Sequence, residues 1–290
     1  MPIDPDKALN AHSTTREVSW TPRDVLLYHL SLGAGRHADV DAELPYTYER
    51  DMQVLPTFAM VAGQGLSAGD DAALAMDLPG IDLDLRTILH AGQALTVHQP
   101  LPAAGSATVT SRVVHLWDKG KAAVVVLESA ASDPDGAPLW TTTMQIWARG
   151  AGGFGGQPGP ETPWTAAERD PDHVLDTSTT AGQALLYRLN GDLNPLHADP
   201  AFARAAGFDR PILHGLASYG VVAKALVDGV LDGDASRLTG LAVRFAGPIF
   251  PGETIRTDVW REGDRLTLAS TCPERDGAPV LSHATAEVRW

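Results

Sequence analysis

A carboxylate, a carboxamide and an imidazole lie close together in the sequence, at Asp192, Asn194 and His197. Pro195 fixes its own φ and drives Asn194 toward an extended conformation, so the spacing from the acid to the imidazole is partly preset. Asn190-Gly191 favours a turn just before the acid. A carboxylate and an imidazole on one stiff loop can share a water molecule, which is the arrangement that general acid–base catalysis needs.

Each of these residues has a plainer interpretation when it is taken alone, because Asn-Gly-Asp is a common turn and a single histidine is usually structural. Their joint spacing favours a catalytic loop. Asp192, His197 and His214 could also form a metal site on residue types alone. The sequence lacks an H-x-x-x-H or cysteine-containing ligand pattern around them, which favours acid–base chemistry over a metal.

An apolar segment follows at Gly215 and continues to Val230 with the spacing of a helix that is buried on most sides. We predict that His214 has a structural role at the start of this helix. Gly215 lacks a side chain, so a carbonyl oxygen could approach the backbone N–H at the positive end of the helix. The pattern predicts an oxyanion hole at Gly215.

Segments with strand-like alternation and turn signals follow this helix, which predicts an α+β fold with an antiparallel sheet curled round a helix. The predicted strands of the second half are Leu241–Phe245, Thr254–Trp260, Arg265–Thr271 and Ser282–Val288. The first half repeats the pattern, with a predicted helix at Leu55–Leu66 and strands at Ala107–Leu116, Ala122–Glu128 and Thr141–Ala148.

A short helix is predicted between the polar loop and the buried helix. Asp199-Pro200 supplies a side-chain cap and a proline at the first helical position, and Gly207 would end the helix. Arg204 on this segment could face a ligand or could be an ordinary surface charge.

A Gly- and Pro-rich segment from Gly150 to Pro160 predicts a linker rather than a packed element. The sequences on its two sides resemble each other, as Leu26-Leu27-Tyr28 and Leu185-Leu186-Tyr187 show. We therefore predict two repeats, at 1–150 and 166–290, joined by a linker at 151–165. Where the second repeat carries the acid and the imidazole, the first has only Leu32–Gly35, so the first repeat is the degenerate one.

The composition is that of a globular protein, with 44% hydrophobic and 20% charged residues. A formal net charge of −14 argues against nucleic-acid partners and anionic membranes, because the overall field repels phosphate. A single cysteine fits a reducing compartment. The N-terminal residues contain no apolar run of the kind that would indicate a signal peptide or a membrane span. These features predict a cytoplasmic protein.

These motifs closely resemble the 2-enoyl-CoA hydratase 2 family, also called MaoC-like, and in particular the hydratase unit of peroxisomal multifunctional enzymes. The resemblance covers nearly the whole chain. It extends to Thr57-Phe58, Leu116–Gly120 and Gly152–Gly156. The central residues that carry it are Gly191-Asp192-x-Asn194-Pro195-x-His197, Ala198-Asp199-Pro200-x-Phe202-Ala203 and Gly207-Phe208-Asp209-x-Pro211-Ile212-Leu213-His214-Gly215.

The resemblance implies a double hotdog fold and (R)-specific hydration of trans-2-enoyl-CoA to (3R)-3-hydroxyacyl-CoA, together with the reverse dehydration. It implies no redox cofactor or metal, and it implies a homodimer. It also implies substrate contacts, at positions His90, Ala91, Lys119, Leu193, Pro195, Leu196 and Phe245. Ala91 stands where the family has glycine, which puts close backbone approach there in doubt. Lys119 would lie near the coenzyme's phosphates, although the sequence is equally compatible with a hairpin-turn lysine.

In the expected reaction, His197 acts as general base on a water and Asp192 as proton donor, and the two could share or exchange roles. Asn194 would orient the water or the Asp192 side chain. The degenerate repeat would accommodate the acyl chain, lined by the Leu55–Leu66 region. Three alternatives remain: a hotdog acyl-CoA thioesterase, a dehydratase that takes its thioester from acyl carrier protein, and a non-catalytic acyl-binding protein.

Overall fold

A computed structural model of the chain describes residues 2–36, 40–64, 78–83, 87–161, 164 and 168–290. Ten strands form one sheet, in the order β1-β3-β4-β5-β2-β7-β10-β9-β8-β6. All neighbouring strands are antiparallel. The strands are β1 Thr14–Trp20, β2 Ile88–Val97, β3 Gly105–Asp118, β4 Ala122–Ser132, β5 Pro138–Arg149, β6 His173–Ser178, β7 Leu238–Phe245, β8 Thr254–Glu262, β9 Arg265–Cys272 and β10 Ala278–Val288.

The strand order has an internal two-fold pattern. Read from the outer edges inward, the first half runs β1-β3-β4-β5-β2 and the second runs β6-β8-β9-β10-β7, and the halves join where β2 pairs with β7. Tyr28 and Tyr187, which the sequence repeat aligns, are both buried, and their ring centroids are 6.3 Å apart. The expected α+β double hotdog architecture is confirmed, while the repeat boundaries at 1–150 and 166–290 stay a prediction.

Six α-helices accompany the sheet in the described part of the chain. They are α1 Pro5–Leu9, α2 Pro22–Leu32, α3 Val40–Thr47, α4 Gln183–Tyr187, α5 Pro200–Ala205 and α6 Gly215–Val230. The predicted seven strands are all present, each longer by a few residues at one or both ends. The sequence did not predict β1, β2, β6, α1, α2, α3 or α4. No helix in this part of the chain combines the length and the apolar character that a membrane span requires.

Helix α6 has the bounds that its apolar pattern predicts, and most of its side chains are buried. Its only buried charge, on Lys224, pairs with Glu43 at 2.9 Å and with Asp228 at 2.6 Å. Because Glu43 belongs to α3 in the first half of the chain, this buried ion pair ties the two repeats together. Removing one partner would leave an uncompensated buried charge, which is strongly destabilising.

The helix predicted at Leu55–Leu66 is wrong in its described part. A short 3-10 helix, Pro56–Met60, stands there instead, and residues 65 and 66 lie outside the described residues. Gly63 interrupts the segment with a φ of +70°, in the left-handed region. A β-carbon at Gly63 would lie 2.5 Å from Val18, so the chain packs closely on β1 at this point. Within the described residues of the 55–66 segment, the helix is therefore limited to this single short turn.

The glycine-rich segment is held against the β3–β4 hairpin and is not a free linker. The Asp118 carboxylate accepts hydrogen bonds from the N–H groups of Gly120, Gly153 and Gly155, at 2.8 to 2.9 Å. These bonds lower the pKa of Asp118 because they favour its charged form. A β-carbon at Gly152 would lie 2.5 Å from the Ala122 carbonyl oxygen. The glycines allow close packing here, where their number alone had indicated flexibility.

Candidate active site

The loop from Gly191 to His197 folds as the sequence predicts. Gly191 has a φ of +120°, and Asn194 is extended, with φ −50° and ψ 122°. The Asp192 Oδ1 atom accepts a hydrogen bond from the Asn194 N–H at 3.1 Å. The Asn194 side chain accepts one from the Leu196 N–H at 3.0 Å and so caps the 3-10 helix Pro195–His197. Asn194 therefore positions the acid through its backbone amide, whereas its side chain orders the following turn.

The hydrogen bonds of His197 define its tautomer. Its Nδ1 atom lies 2.9 Å from the Ile212 carbonyl oxygen, and a carbonyl can only accept, so Nδ1 carries the proton. In the neutral ring Nε2 is then a bare acceptor. Burial lowers the pKa of His197, against the opposing effect of the nearby Asp192 charge. A neutral imidazole with a free Nε2 is suited to act as a general base.

Asp192, His197 and His214 form one cluster, in which an oxygen or nitrogen atom of each side chain lies within 4.8 Å of the others. Asp192 is exposed, while the two histidines are buried. A separation of this size allows one water to contact both the carboxylate and an imidazole nitrogen, because each contact needs about 2.6 to 3.2 Å. The structure thus brings the predicted acid and imidazole together on the solvent side of a buried histidine.

The two imidazoles of the cluster stack face to face, with ring centroids 3.7 Å apart and an angle of 26° between the planes. A metal ion bound by both rings would have to lie about 2.0 to 2.1 Å from each nitrogen and in the plane of each ring. Lone pairs of stacked rings point side by side rather than toward a common point. The geometry therefore fits a metal poorly, although the residue types are those of a metal site.

The Asp192 cluster lies beside the N-terminus of α6. The His214 carbonyl accepts hydrogen bonds from Ala217 and Ser218, whereas the Gly215 N–H has no hydrogen-bond partner in the described ranges. A β-carbon at Gly215 would lie 3.2 Å from two ring atoms of Phe245. Phe245 thus sits against the helix start, next to the amide that the sequence predicts to be an oxyanion donor.

His90 comes to this site from the first repeat, across the pairing of β2 with β7. Its ring centroid is 4.7 Å from that of Phe245. Its Nε2 atom lies 3.1 Å from Oε1 of the buried Gln93. Burial lowers the pKa of His90 to about 4, and the charge of Asp192 opposes this effect. Ala91 occupies a register shift between His90 and Gly92, and such bulges redirect side chains beside active sites.

The other predicted contacts are more dispersed. Leu193, Pro195 and Leu196 lie partly buried on the catalytic loop. Lys119 is exposed at the tip of the β3–β4 hairpin, where its backbone bonds to Ala122, and no described contact joins it to the Asp192 cluster. Arg204 is exposed on α5, and the cap at Asp199 forms as predicted.

A cavity of about 200 Å³ is lined mainly by residues of the first half of the chain. Leu216, the residue after Gly215, lines it together with Ala59 and Met60 of the 3-10 helix. Sequence reasoning identified the Leu55–Leu66 side of the cavity and missed the opposite wall, since facing strand residues follow from sheet pairing. The missed residues include Gln93, Trp140, Thr142 and Met144.

This fold and this site define a double hotdog protein whose acid and imidazole lie beside the start of a buried helix. The MaoC like domain model matches residues 164–275, and the MFE-2 hydratase 2 N-terminal domain model matches residues 18–150. The chain belongs to the MaoC-like hydratase 2 family, which confirms the resemblance seen in the sequence.

Several relatives align along most of the chain. Enoyl-CoA hydratase ChsH3 of Mycobacterium tuberculosis is 49% identical over 97% of this chain and 98% of its own. A solved MaoC-like dehydratase from Phytophthora capsici is 31% identical, with a TM-score of 0.87 over 99% of both chains. The solved peroxisomal multifunctional enzyme type 2 of Drosophila melanogaster is 31% identical, with a TM-score of 0.79 over 96% of this chain and 48% of that one.

Proposed function

We propose that this protein hydrates trans-2-enoyl-CoA to (3R)-3-hydroxyacyl-CoA in fatty-acid metabolism, and that it catalyses the reverse dehydration. The observation that carries the proposal is the cluster of Asp192 and His197 beside the Gly215 N–H, which has no hydrogen-bond partner among the described residues. The names of the relatives, an enoyl-CoA hydratase and a MaoC-like dehydratase, agree with a hydro-lyase.

The thioester carbonyl accepts the Gly215 N–H, which stabilises the enolate-like charge that develops during addition. One such donor contributes roughly 3–4 kcal/mol to the transition state. The bare Nε2 of His197 takes a proton from the shared water as the water oxygen bonds to C3. That proton passes from His197 to the Asp192 carboxylate, and Asp192 delivers it to C2 on the same face, so both groups return to their starting states and the overall reaction adds one water.

The reaction needs no metal or redox cofactor. The addition of water to an activated double bond involves no electron transfer, and the Gly215 amide supplies the polarisation that a Lewis acid would otherwise give. The stacking of His197 on His214 supports this part of the proposal, because two stacked rings do not direct their nitrogen atoms at one ion.

The substrate extends in two directions from Gly215. The acyl chain enters the cavity that is lined by Leu216, Ala59 and Met60. The lining is mixed, with Leu127 and Met144 beside polar residues such as Gln93 and Thr142. A cavity of about 150 Å³ holds a benzene-sized group, so the volume is sufficient for several methylene groups beyond the reacting carbons. We assign the coenzyme A side to His90, Ala91, Phe245 and the exposed Lys119.

The experiment that tests the proposal follows loss of enoyl absorbance and release of free thiol with crotonyl-, decenoyl- and longer enoyl thioesters on coenzyme A and on acyl carrier protein. Loss of absorbance without thiol, giving the (3R) alcohol, is the expected result on coenzyme A. Thiol release would instead indicate a thioesterase. Turnover on acyl carrier protein alone would indicate a dehydratase of chain elongation.

We further propose a homodimer in the cytoplasm. The single cysteine supports a reducing compartment. The edge strands β1 and β6 support self-association, because each leaves backbone groups unpaired on one side. Light scattering coupled to size-exclusion chromatography tests the assembly, and imaging of the tagged protein tests the location.

A further inference from the structure

We propose that His214 is a positioning residue of the hydration reaction, which holds Asp192 and His197 in register with the start of α6. The inference rests on the proposed function and goes beyond the structural role that the sequence predicts for this histidine. In this role His214 does not contact the substrate, and it acts through its neighbours.

The first contact joins His214 to the acid. Its Nε2 atom lies 3.2 Å from the main-chain carbonyl oxygen of Asp192, so Nε2 carries the proton and donates it. Asp192 itself is exposed, and its carboxylate accepts only the Asn194 N–H within the described contacts. The bond from His214 is therefore what ties the backbone of the acid to the rigid helix start.

The second contact joins His214 to the base. The two rings stack with a centroid separation of 3.7 Å, and Tyr187 supports the His214 ring at 4.9 Å. The titratable groups that face His214 are His197, Asp192 and Arg188. Burial, electrostatic repulsion from a protonated His197 and the charge on Arg188 lower the pKa of His214 to about 3, against the effect of Asp192. His214 therefore remains neutral and lets His197 take up a proton without a second positive charge beside it.

The third link is through the chain. His214 immediately precedes Gly215, and its carbonyl begins the helix by accepting from Ala217 and Ser218. One residue thus connects the acid, the base and the oxyanion donor. A shift of about 1 Å among such groups can cost about 100-fold in rate, which sets the size of the effect that we expect.

A purely structural histidine has a different pattern of partners, as His29 in the first repeat shows. Both residues are almost fully buried, with exposures of 0% for His29 and 1% for His214. His29 donates from Nδ1 to Tyr46 and accepts at Nε2 from Leu55, so both nitrogens are satisfied. The Nδ1 atom of His214 is buried without a hydrogen-bond partner in the described residues. An unsatisfied buried nitrogen costs stability, which an apolar ring at this position would avoid.

The test compares His214→Phe and His214→Gln with wild type, and uses His29→Phe as the matched control. Phenylalanine keeps a flat ring against His197 and loses the bond to Asp192. Glutamine keeps a donor near the Nε2 position and loses the stack. We expect His214→Phe to lower kcat about 100-fold with little change in KM and with a thermal midpoint within about 3 °C of wild type. We expect His214→Gln to lower kcat about tenfold.

The pH profile separates positioning from packing. Hydration requires neutral His197, so activity falls as pH drops through the lowered pKa of His197. The Asp192 charge raises that pKa. His214→Phe loses the hydrogen bond to the Asp192 backbone, so the acid limb of its kcat–pH profile should shift to lower pH. In His214→Gln, which keeps a donor, the acid limb should lie closer to that of wild type. His29→Phe should lower the thermal midpoint and leave the limb unchanged.

The inference would be overturned if folded His214→Phe kept the kcat of wild type and the same acid limb in its pH profile. It would also be overturned if His214→Phe lost activity only in proportion to its loss of folded protein, as His29→Phe does. Failure of the proposed function looks different, because then wild type itself would hydrate none of the enoyl thioesters.

Discussion

The two repeats share one strand order but differ in the elements that accompany their strands in the described part of the chain. The second repeat carries the 16-residue helix α6 and the loop with Asp192 and His197. The first has the five-residue helix Pro56–Met60 and a cavity of about 200 Å³. We interpret this difference in functional terms: the second repeat performs the reaction, and the first repeat makes room for the acyl chain.

The largest expected effect comes from removing the acid or the base. Asp192→Asn or His197→Gln should lower kcat at least about 1,000-fold, because the loss of one member of a cooperating pair disables both. Steady-state hydration of crotonyl-CoA measures the effect. The control is His98→Gln on an exposed histidine of the first repeat. Near-normal turnover in either active-site variant, with normal turnover in the control, would remove the assignment of the catalytic repeat.

Changing two glycines of α6 to alanine should affect different properties, activity at one position and stability at the other. At Gly215 the new β-carbon meets the Phe245 ring at 3.2 Å and crowds the oxyanion amide, so kcat should fall about 100- to 1,000-fold. At Gly220 it would lie 2.7 Å from the buried Leu32 and Tyr28 side chains, which should cost about 1–3 kcal/mol of unfolding free energy. Urea unfolding and hydration kinetics on both variants measure this. If both variants lost the same activity per folded molecule, the predicted distinction between Gly215 and Gly220 would be wrong.

Filling the cavity of the first repeat should change substrate preference rather than the chemistry. Ala59→Leu adds three carbons to the cavity wall, so decenoyl-CoA hydration should fall about tenfold in kcat/KM while crotonyl-CoA hydration stays near wild type. Thr239→Leu is the control, because Thr239 lines a separate cavity of about 180 Å³. A parallel loss on both substrates would show that the acyl chain does not enter the first repeat.

The smallest expected effect is on the pH dependence of stability. The pKa of His29 falls from 6.5 to about 4 because burial disfavours its charged form. The unfolded chain then binds the proton more readily, so His29 contributes stability above pH 6.5 that is lost as pH falls toward about 4. Urea midpoints across this window should decline less steeply in His29→Gln than in wild type. An identical slope would show that His29 is not a source of this acid sensitivity.

The catalytic repeat was predictable because its signals are local. Pro195 and Gly191 shape the loop, and the apolar period of Gly215–Val230 specifies a buried helix. The first repeat was harder, since Leu55–Leu66 has an apolar pattern that its packing overrides: Gly63 turns the chain against Val18.

Contacts between segments that are distant along the chain could not be predicted from the sequence either. His90 reaches Phe245 only because β2 pairs with β7 in one register, and no spacing along the chain encodes that pairing. The Gly150–Pro160 segment was interpreted as a linker for the same reason, since its partner, the Asp118 carboxylate, lies more than thirty residues earlier. The stacking of His214 on His197 likewise depends on tertiary structure.

A crystal structure of Asp192→Asn with trans-2-decenoyl-CoA would test the central claim most directly. We predict the thioester oxygen at about 3 Å from the Gly215 nitrogen, a water between C3 and His197 Nε2, and the acyl chain beside Ala59 and Met60. A thioester bound away from the start of α6, or a C3 atom that no water held by His197 can reach, would contradict the account.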